Sequence, residues 1–211
     1  PKRDASVDPM FFVARSFDIN KPGSMSKDIV GGILGGALSR GKLKVNDEIE
    51  LRPGRVVEEK NQKVWKPLRT KITGLRTGGK SVKEIVPGGS IGIMTNLDPS
   101  VVKSDNLTGC VVGSNGKLPP VWNDLKMEVK LLERVVGTKE DLKVEPIKMH
   151  EPLMLNVNAA ATVGVVTELG KDSFISKLKL PICADVGARV TISRRIGNRF
   201  RLIGYGIIQL E

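Results

Sequence analysis

Residues 74–81 have the sequence GLRTGGKS, which fits the phosphate-binding pattern G-x-x-x-x-G-K-[ST] at every fixed position. Such a loop binds phosphate because its backbone N–H groups and the N-terminus of the following helix point at the anion. Only residues 82–86 separate this motif from a Pro-Gly-Gly at 87–89. Five residues fall short of an ordinary helix of about 11–12, and Pro-Gly-Gly ends one. We therefore predict a β-hairpin with Gly78 and Gly79 in its turn, and no catalytic site.

Two shorter fragments look like other parts of a GTPase. Asp28 and Gly31 fit D-x-x-G, and residues 20–23 (NKPG) begin like N-K-x-D. In GTPases both follow the phosphate loop, whereas here both precede it. The sequence therefore predicts that this chain binds no nucleotide cofactor.

Metal and thiol chemistry have few candidate residues. The chain has two cysteines, Cys110 and Cys183, and one histidine, His150. They lack the number and spacing of zinc ligands, so we predict no metal site and no Cys-His catalytic pair. We expect the cysteines to be small buried hydrophobic residues and His150 to lie on the surface.

The charge distribution favours a polyanionic partner. Lysine and arginine exceed aspartate and glutamate by 34 − 23 = 11, and no acidic residue lies between Asp185 and Glu211. That window contains candidate contacts to RNA phosphates at Arg194, Arg195, Arg199 and Arg201. Aromatic residues make up only 4% of the chain, so we expect contacts to the RNA backbone rather than a base-stacking sheet.

Short alternating segments separated by glycine and proline turns predict an all-β fold of two consecutive β-barrels. A Gly-rich and then Pro-rich stretch at 113–120 marks the boundary. We predict a linker remnant at 1–9, a first barrel at 10–118 and a second at 119–211. The missing initiator methionine suggests a piece of a longer protein. No apolar run approaches the roughly 20 residues of a membrane span, so no membrane partner is expected.

The first barrel contains two segments that are similar to segments of a known protein family. Residues 31–51 keep glycines at 31, 36 and 41 and end in KVNDEIEL, and residues 84–92 read EIVPGGSIG. They resemble the first hairpin and the E-x-x-A-G-x-x-V-G strand of domain II in translational GTPases such as elongation factor Tu.

A narrower resemblance runs through the whole chain. Residues 15–23 (RSFDINKPG), 132–137 (LERVVG), 192–195 (ISRR) and 201–206 (RLIGYG) are similar to segments of the gamma subunit of archaeal and eukaryotic translation initiation factor two. Residues 140–147 favour its archaeal form. The resemblance implies barrels of the domain II and domain III type.

The resemblance also implies a function in translation initiation in the cytoplasm. The parent protein would carry methionylated initiator tRNA to the small ribosomal subunit and join an alpha subunit through domain II. GTP and magnesium would bind a GTP-binding domain that this chain lacks. That domain is then a further partner of the barrels, and the C-terminal arginines either contact RNA or pack against it.

Four residues match the acceptor-end pocket of elongation factor Tu. Ile33 and Leu34 align with apolar residues that contact the terminal adenosine, Glu84 with a glutamate and Gly88 with a glycine. Ile33 and Leu34 could instead be barrel core, and Glu84 an exposed loop charge. The charged segment 55–63 is a candidate for alpha-subunit docking. The alternative function is a stand-alone basic RNA-binding β-barrel protein.

Overall fold

The computed structural model describes residues 4–23, 25, 29–137 and 142–210. The chain forms two compact units that divide between Leu118 and Pro119. Both units are built almost entirely of strands, which confirms the predicted all-β class. None of the helices among these residues has the length and apolar character needed to cross a membrane.

Among its described residues, the first unit contains nine strands, one short α-helix and one 3-10 turn at Lys103–Asp105. They are β1 Met10–Phe17, β2 Ile33–Arg40, β3 Leu43–Lys44, β4 Glu48–Glu59, β5 Gln62–Thr77, β6 Lys80–Val82, β7 Glu84–Ile85, β8 Ile91–Thr95, α1 Pro99–Val102 and β9 Val111–Ser114. The order β4-β9-β1-β2-β8-β5 closes on itself through a β4–β5 ladder, and β6 extends the edge of β5. The strands β3 and β7 pair separately.

The second unit is a closed barrel of six strands. They are β10 Val121–Leu131, β11 Pro152–Val157, β12 Ala160–Leu169, β13 Ser173–Cys183, β14 Arg189–Ile196 and β15 Arg199–Ile208. Their order is β10-β13-β12-β11-β14-β15. The strands β14 and β15 form the last hairpin, with Gly197 at a positive φ of 59° between them.

Alternation of side chains gives each barrel its own core. In the first, Leu34, Ile93 and Leu75 point inward from three neighbouring strands, and in the second Leu155, Val166 and Ile192 do the same. Burial of such aliphatic side chains is the main stabilising contribution, roughly 1.5–3 kcal/mol each. Residues 4–9 also lie against the first barrel, because Gly41 N–H donates to the Asp4 carbonyl at 2.7 Å. That residues 1–9 are a linker remains a prediction.

Candidate functional site

The phosphate-loop motif lies in a β-hairpin, as predicted. The strand β5 ends at Thr77, Gly78 and Gly79 take positive φ angles of 56° and 76°, and Lys80 begins β6. Thr77 is paired with Lys80 in the ladder that follows. The motif's backbone is thus engaged in strand pairing and has no helix N-terminus behind it. Residues 74–81 do not fit the phosphates of GTP.

Ile33 and Leu34, two of the predicted acceptor-end residues, face opposite sides of β2. Leu34 is 0% exposed and belongs to the core of the first barrel, so its side chain supports the wall from inside. Ile33 faces outward and is partly exposed, between Phe17 of β1 and Met94 of β8. Of this pair, only Ile33 offers a side chain to a ligand on the outer surface.

Gly88 lies just before β8, at the end away from Met94, whereas Glu84 lies on the separate β3–β7 pair. Glu84 is on β7 opposite Lys44, and its carboxylate forms ion pairs with Lys42 Nζ at 3.7 Å and with Lys44 Nζ at 3.5 Å. Gly88 has a φ of 143° in the loop that leads to Ile91, the first residue of β8. Met94, which is opposite Ile33, lies three residues beyond Ile91 on the same strand, so the two positions are about 10 Å apart at 3.3 Å per residue.

The segment RSFDINKPG at 15–23 fixes the loops at one end of the first barrel. Arg15 Nε donates to both carboxylate oxygens of Asp105 at 2.9 and 3.1 Å, and Ser16 N–H donates to the same carboxylate at 3.0 Å. These hydrogen bonds, from Arg15 first and then Ser16, lower the pKa of Asp105. Ser16 Oγ is buried and donates to the Val102 carbonyl, so both side chains tie β1 to the segment after α1.

The same segment closes its own loop with an asparagine. Asn20 Nδ2 donates to the Val30 carbonyl at 2.7 Å, and Val30 N–H donates to Asn20 Oδ1 at 2.8 Å. Asn20 N–H and Nδ2 also donate to Asp18, and the backbone bond is the largest cause of the lowered pKa of that carboxyl. The amide of Asn20 is therefore occupied by the Val30 backbone and by Asp18. Asp28, of the D-x-x-G fragment, lies outside the described residues.

Arg194 requires a correction to the predicted RNA contacts. Its Nε and Nη2 donate to the Glu151 carboxylate, and Nη1 and Nη2 donate to the carbonyls of Glu145 and Pro146 at 2.9 and 3.0 Å. The side chain is only 16% exposed. Four of its five donors are thus used within the second barrel, to anchor the loop before β11. Sequence reasoning missed this because Glu151 lies 43 residues earlier.

The other predicted arginines remain accessible. Arg195 and Arg199 are exposed at the tip of the β14–β15 hairpin, and Arg201 is partly exposed. Phe200 is exposed beside them and lies opposite Arg195 in the ladder. The tip therefore combines cations with one accessible aromatic ring, which the sequence-based argument did not consider.

The candidate docking segment 55–63 belongs to a long two-stranded arm. The strands β4 and β5 continue their ladder from Arg55–Lys66 pairing to Glu59–Gln62 pairing, beyond the part that closes the barrel. Val56 and Val64 are 47% and 38% exposed, on opposite faces of the arm. Their exposure was not predicted, since charge alone had singled out this segment.

The side chains of Cys110 and Cys183 are buried, as predicted, and burial raises the pKa of Cys110 to about 11. His150 is exposed. Among the described residues, no three His, Cys, Asp or Glu side chains are grouped so that they could hold a metal ion.

Comparisons with known proteins agree with this architecture. Residues 31–112 match the family model "Elongation factor Tu domain 2", and residues 123–208 match "Initiation factor eIF2 gamma, C terminal". The chain is 56% identical over 209 residues to translation initiation factor 2 subunit gamma of Pyrococcus furiosus, and equally to that of Methanocaldococcus jannaschii. The same subunit of Thermococcus kodakarensis is 54% identical. The chain is thus similar, over nearly its whole length, to part of the gamma subunit of translation initiation factor 2.

The alignments cover 99% of this chain but 51% of each relative, so the chain spans about half the length of these gamma subunits. The two family models fall one on each barrel. The gamma-subunit resemblance seen in the sequence is confirmed, as is the assignment of the barrels to the domain II and domain III types.

Proposed function

We propose that the chain forms the two non-catalytic barrels of a factor that carries methionylated initiator tRNA to the small ribosomal subunit. The 56% identity to a named initiation factor subunit over nearly the whole chain carries this proposal. GTP and magnesium then belong to a GTP-binding domain in the half of the relatives that the chain does not span. The chain alone is not an enzyme in this proposal, and its place of action is the cytoplasm.

The acceptor end of the tRNA is proposed to bind the outer surface of the first barrel. Ile33 supplies an accessible apolar side chain, and Glu84 a carboxylate able to accept a hydrogen bond from a ribose hydroxyl. Leu34 supports Ile33 from the core side. Gly88 leaves the loop before β8 without a side chain, so a nucleoside can approach the backbone. Ion pairs with Lys42 and Lys44 position the Glu84 carboxylate.

The alpha subunit is proposed to dock on the β4–β5 arm. The arm exposes Val56 on one face and Val64 on the other, and Trp65, half-buried, stands opposite Val56. Trp and aliphatic side chains rimmed by charge are typical of protein interfaces. Around them lie Glu58, Lys63 and Lys66. The relatives' own name, subunit gamma, describes a component of an assembly.

A titration with purified alpha subunit tests this docking. We expect a complex at micromolar or lower concentration by calorimetry, lost when Val56→Glu is combined with Trp65→Ala. Val165→Glu is the matched control, because Val165 is 40% exposed on the second barrel. If the unaltered chain forms no complex, alpha-subunit docking on this chain is wrong. If the control abolishes binding equally, the arm is the wrong surface.

The second barrel is proposed to contact phosphates of tRNA or ribosomal RNA through Arg195, Arg199 and Arg201. Phosphate contacts make binding salt-dependent, with a slope that falls as contacts are removed. The double change Arg195→Glu and Arg199→Glu should therefore weaken binding to small ribosomal subunits and flatten its salt dependence. Glu84→Ala should leave this binding unchanged. The reverse pattern would contradict the proposal. The stand-alone RNA-binding alternative has no support in the comparisons.

A further inference from the structure

The second barrel has a cavity at one of its ends. The strands β10 and β12 finish there, and β13 begins there. The cavity has a volume of about 330 Å³, within the range of roughly 300–1,000 Å³ that is usual for small-molecule sites. Most of its lining is apolar, and the apolar residues are Val129, Leu131, Pro146, Ile147, Leu169 and Phe174. The mouth of a β-barrel is one of the places where proteins commonly bind small molecules.

The apolar lining is only partly covered by the protein itself. Phe174 is 2% exposed and belongs to the core of the barrel, and Val129 and Ile147 pack against that core. In contrast, Leu131 and Leu169 are 38% and 45% exposed. Because burial of an aliphatic side chain contributes roughly 1.5–3 kcal/mol, two exposed leucines in one concavity favour an apolar ligand between them.

The walls of the cavity are held by hydrogen bonds within the barrel. Arg194 Nη1 and Nη2 donate to the carbonyls of Glu145 and Pro146 at 2.9 and 3.0 Å, which fixes the wall that precedes β11. Val129 N–H donates to the Asp172 carbonyl at 2.8 Å, which ties the β12–β13 turn to β10. The cavity is therefore preformed, so a ligand loses no affinity in ordering these segments.

Two unlike charges are adjacent at the β12–β13 turn. Lys171 and Asp172 both line the cavity and are both exposed. Neither forms an ion pair with another residue in the part of the chain that the structure describes. The ammonium of Lys171 can donate to a carboxylate, and the carboxylate of Asp172 can accept from an ammonium. A ligand with both charges and an apolar body is complementary to this arrangement, whereas a polyanion would be repelled by Asp172.

We propose that this cavity binds a free apolar α-amino acid. The side chain lies between Leu131 and Leu169, the α-carboxylate is paired with Lys171, and the α-ammonium is paired with Asp172. An α-amino acid carries its two charges next to each other, as this turn does. The N-terminus of a peptide shares the ammonium and the side chain but lacks the carboxylate, so it should bind less tightly. This inference does not rest on the proposed function.

Calorimetric titration of the whole 211-residue chain with L-leucine tests the proposal. We expect saturable binding, and no binding of glycine, which lacks the apolar body. Leucine amide lacks the carboxylate and N-acetyl-leucine lacks the ammonium, so each should bind about tenfold more weakly, as expected for loss of one charge-assisted hydrogen bond. Lys171→Gln should weaken leucine about tenfold but leave leucine amide unchanged, and Asp172→Asn should do the same for N-acetyl-leucine.

Lys177→Gln and Asp124→Asn are the charge-matched controls, because these two exposed residues lie opposite each other on β13 and β10 outside the cavity. Neither change should affect leucine binding. Leu169→Glu, at an exposed position, should abolish binding with an unchanged melting temperature.

Four results would overturn the proposal. Absence of saturable binding at about 10 mM L-leucine is the first. The second is equal binding of leucine, leucine amide and N-acetyl-leucine, because the two charges would then recognise nothing. Equal losses in the control and the turn variants would locate the binding elsewhere. Tighter binding of a leucyl peptide than of leucine would assign the cavity to the N-terminus of a protein.

Discussion

Glu50 in the first unit and Ser176 in the second are buried polar side chains whose surroundings differ sharply. In the first barrel, Glu50 is 1% exposed, and its carboxylate accepts from Arg52 Nε and from Gly116 N–H at 3.2 Å. Arg69 Nε lies 3.5 Å away, across the β4–β5 ladder that closes this barrel. In the second barrel, Ser176 is 0% exposed, and its hydroxyl has no hydrogen-bond partner among the described residues.

The difference shows that the two barrels depend on polar groups to unequal degrees. Burial alone would raise the pKa of Glu50, but the hydrogen bonds from Arg52 and Gly116 and the charges of Arg52 and Arg69 lower it. The ionised carboxylate is therefore a structural part of the closure of the first barrel. The second barrel closes through its β10–β15 ladder around an apolar core, and Ser176 contributes nothing to it.

Of the changes that test this comparison, removing the Glu50 carboxylate should lower stability the most. Glu50→Ala leaves Arg52 and Gly116 N–H without their acceptor, and breaking a buried ion pair from one side costs about 3 kcal/mol or more. We expect the free energy of unfolding of the first barrel, measured by denaturant titration, to fall by that amount. Glu48→Ala, on the same strand but exposed, should change stability by less than about 0.5 kcal/mol. Equal effects of both changes would mean that Glu50 is not structural.

The arginine pair of the second barrel gives a somewhat smaller expected effect. Arg194→Ala removes four hydrogen bonds that anchor the loop before β11 and leaves the Glu151 carboxylate with only the hydrogen bond from Lys148 N–H, at a cost of about 2 kcal/mol. Arg195→Ala should cost less than about 0.5 kcal/mol, because Arg195 is exposed. Chemical unfolding followed by the fluorescence of Trp122 distinguishes them. A neutral Arg194→Ala would restore that residue as a candidate for RNA binding.

Low pH should destabilise the two barrels to different extents. The pKa is lowered for Asp4, Asp18, Glu50, Asp98 and Asp105 in the first unit, but in the described part of the second only for Glu145. A carboxyl whose pKa is lower in the folded state than in the unfolded state, where it is about 4, stabilises the fold at pH values above the unfolded-state pKa. That stabilisation is lost as the pH falls through the folded-state pKa. The first barrel should therefore lose more stability between about pH 5 and 2.

Each barrel contains one tryptophan, Trp65 in the first and Trp122 in the second, so single-tryptophan variants can follow the two acid transitions separately. Glu50→Gln should reduce the difference between them. Coincident transitions that this change does not affect would contradict the assignment of acid sensitivity to the first barrel.

The sequence predicted much of the fold because its signals were local. The Gly78-Gly79 turn and the Pro-rich stretch between the barrels each depend on a few adjacent residues. The arm formed by β4 and β5 was not predicted, since its length depends on how far two strands continue pairing beyond the barrel.

The site was harder to predict because its residues meet only through strand register. Ile33 and Leu34 are adjacent in sequence, yet the period of two residues turns one outward and the other into the core. Arg194 and Arg195 differ for the same reason, and Glu151 could not be identified as a partner from spacing.

The smallest predicted effect is at Ser176. A buried hydroxyl without a partner pays its desolvation cost and receives no hydrogen bond, so Ser176→Ala should be neutral or stabilising by up to about 1 kcal/mol. Space is not limiting, because the change only removes an oxygen from the neighbourhood of Gly164, whose ideal Cβ would lie 2.9 Å from Ser176 Oγ.

Thr162→Ala is the matched control: Thr162 Oγ1 is also buried in this barrel, but it donates to the Leu180 carbonyl at 2.9 Å and accepts from Leu180 N–H at 3.0 Å. That control should destabilise by about 1 kcal/mol or more. Thermal unfolding of the two variants gives the comparison directly, and a destabilised Ser176→Ala would mean that the hydroxyl is satisfied in solution, by a buried water.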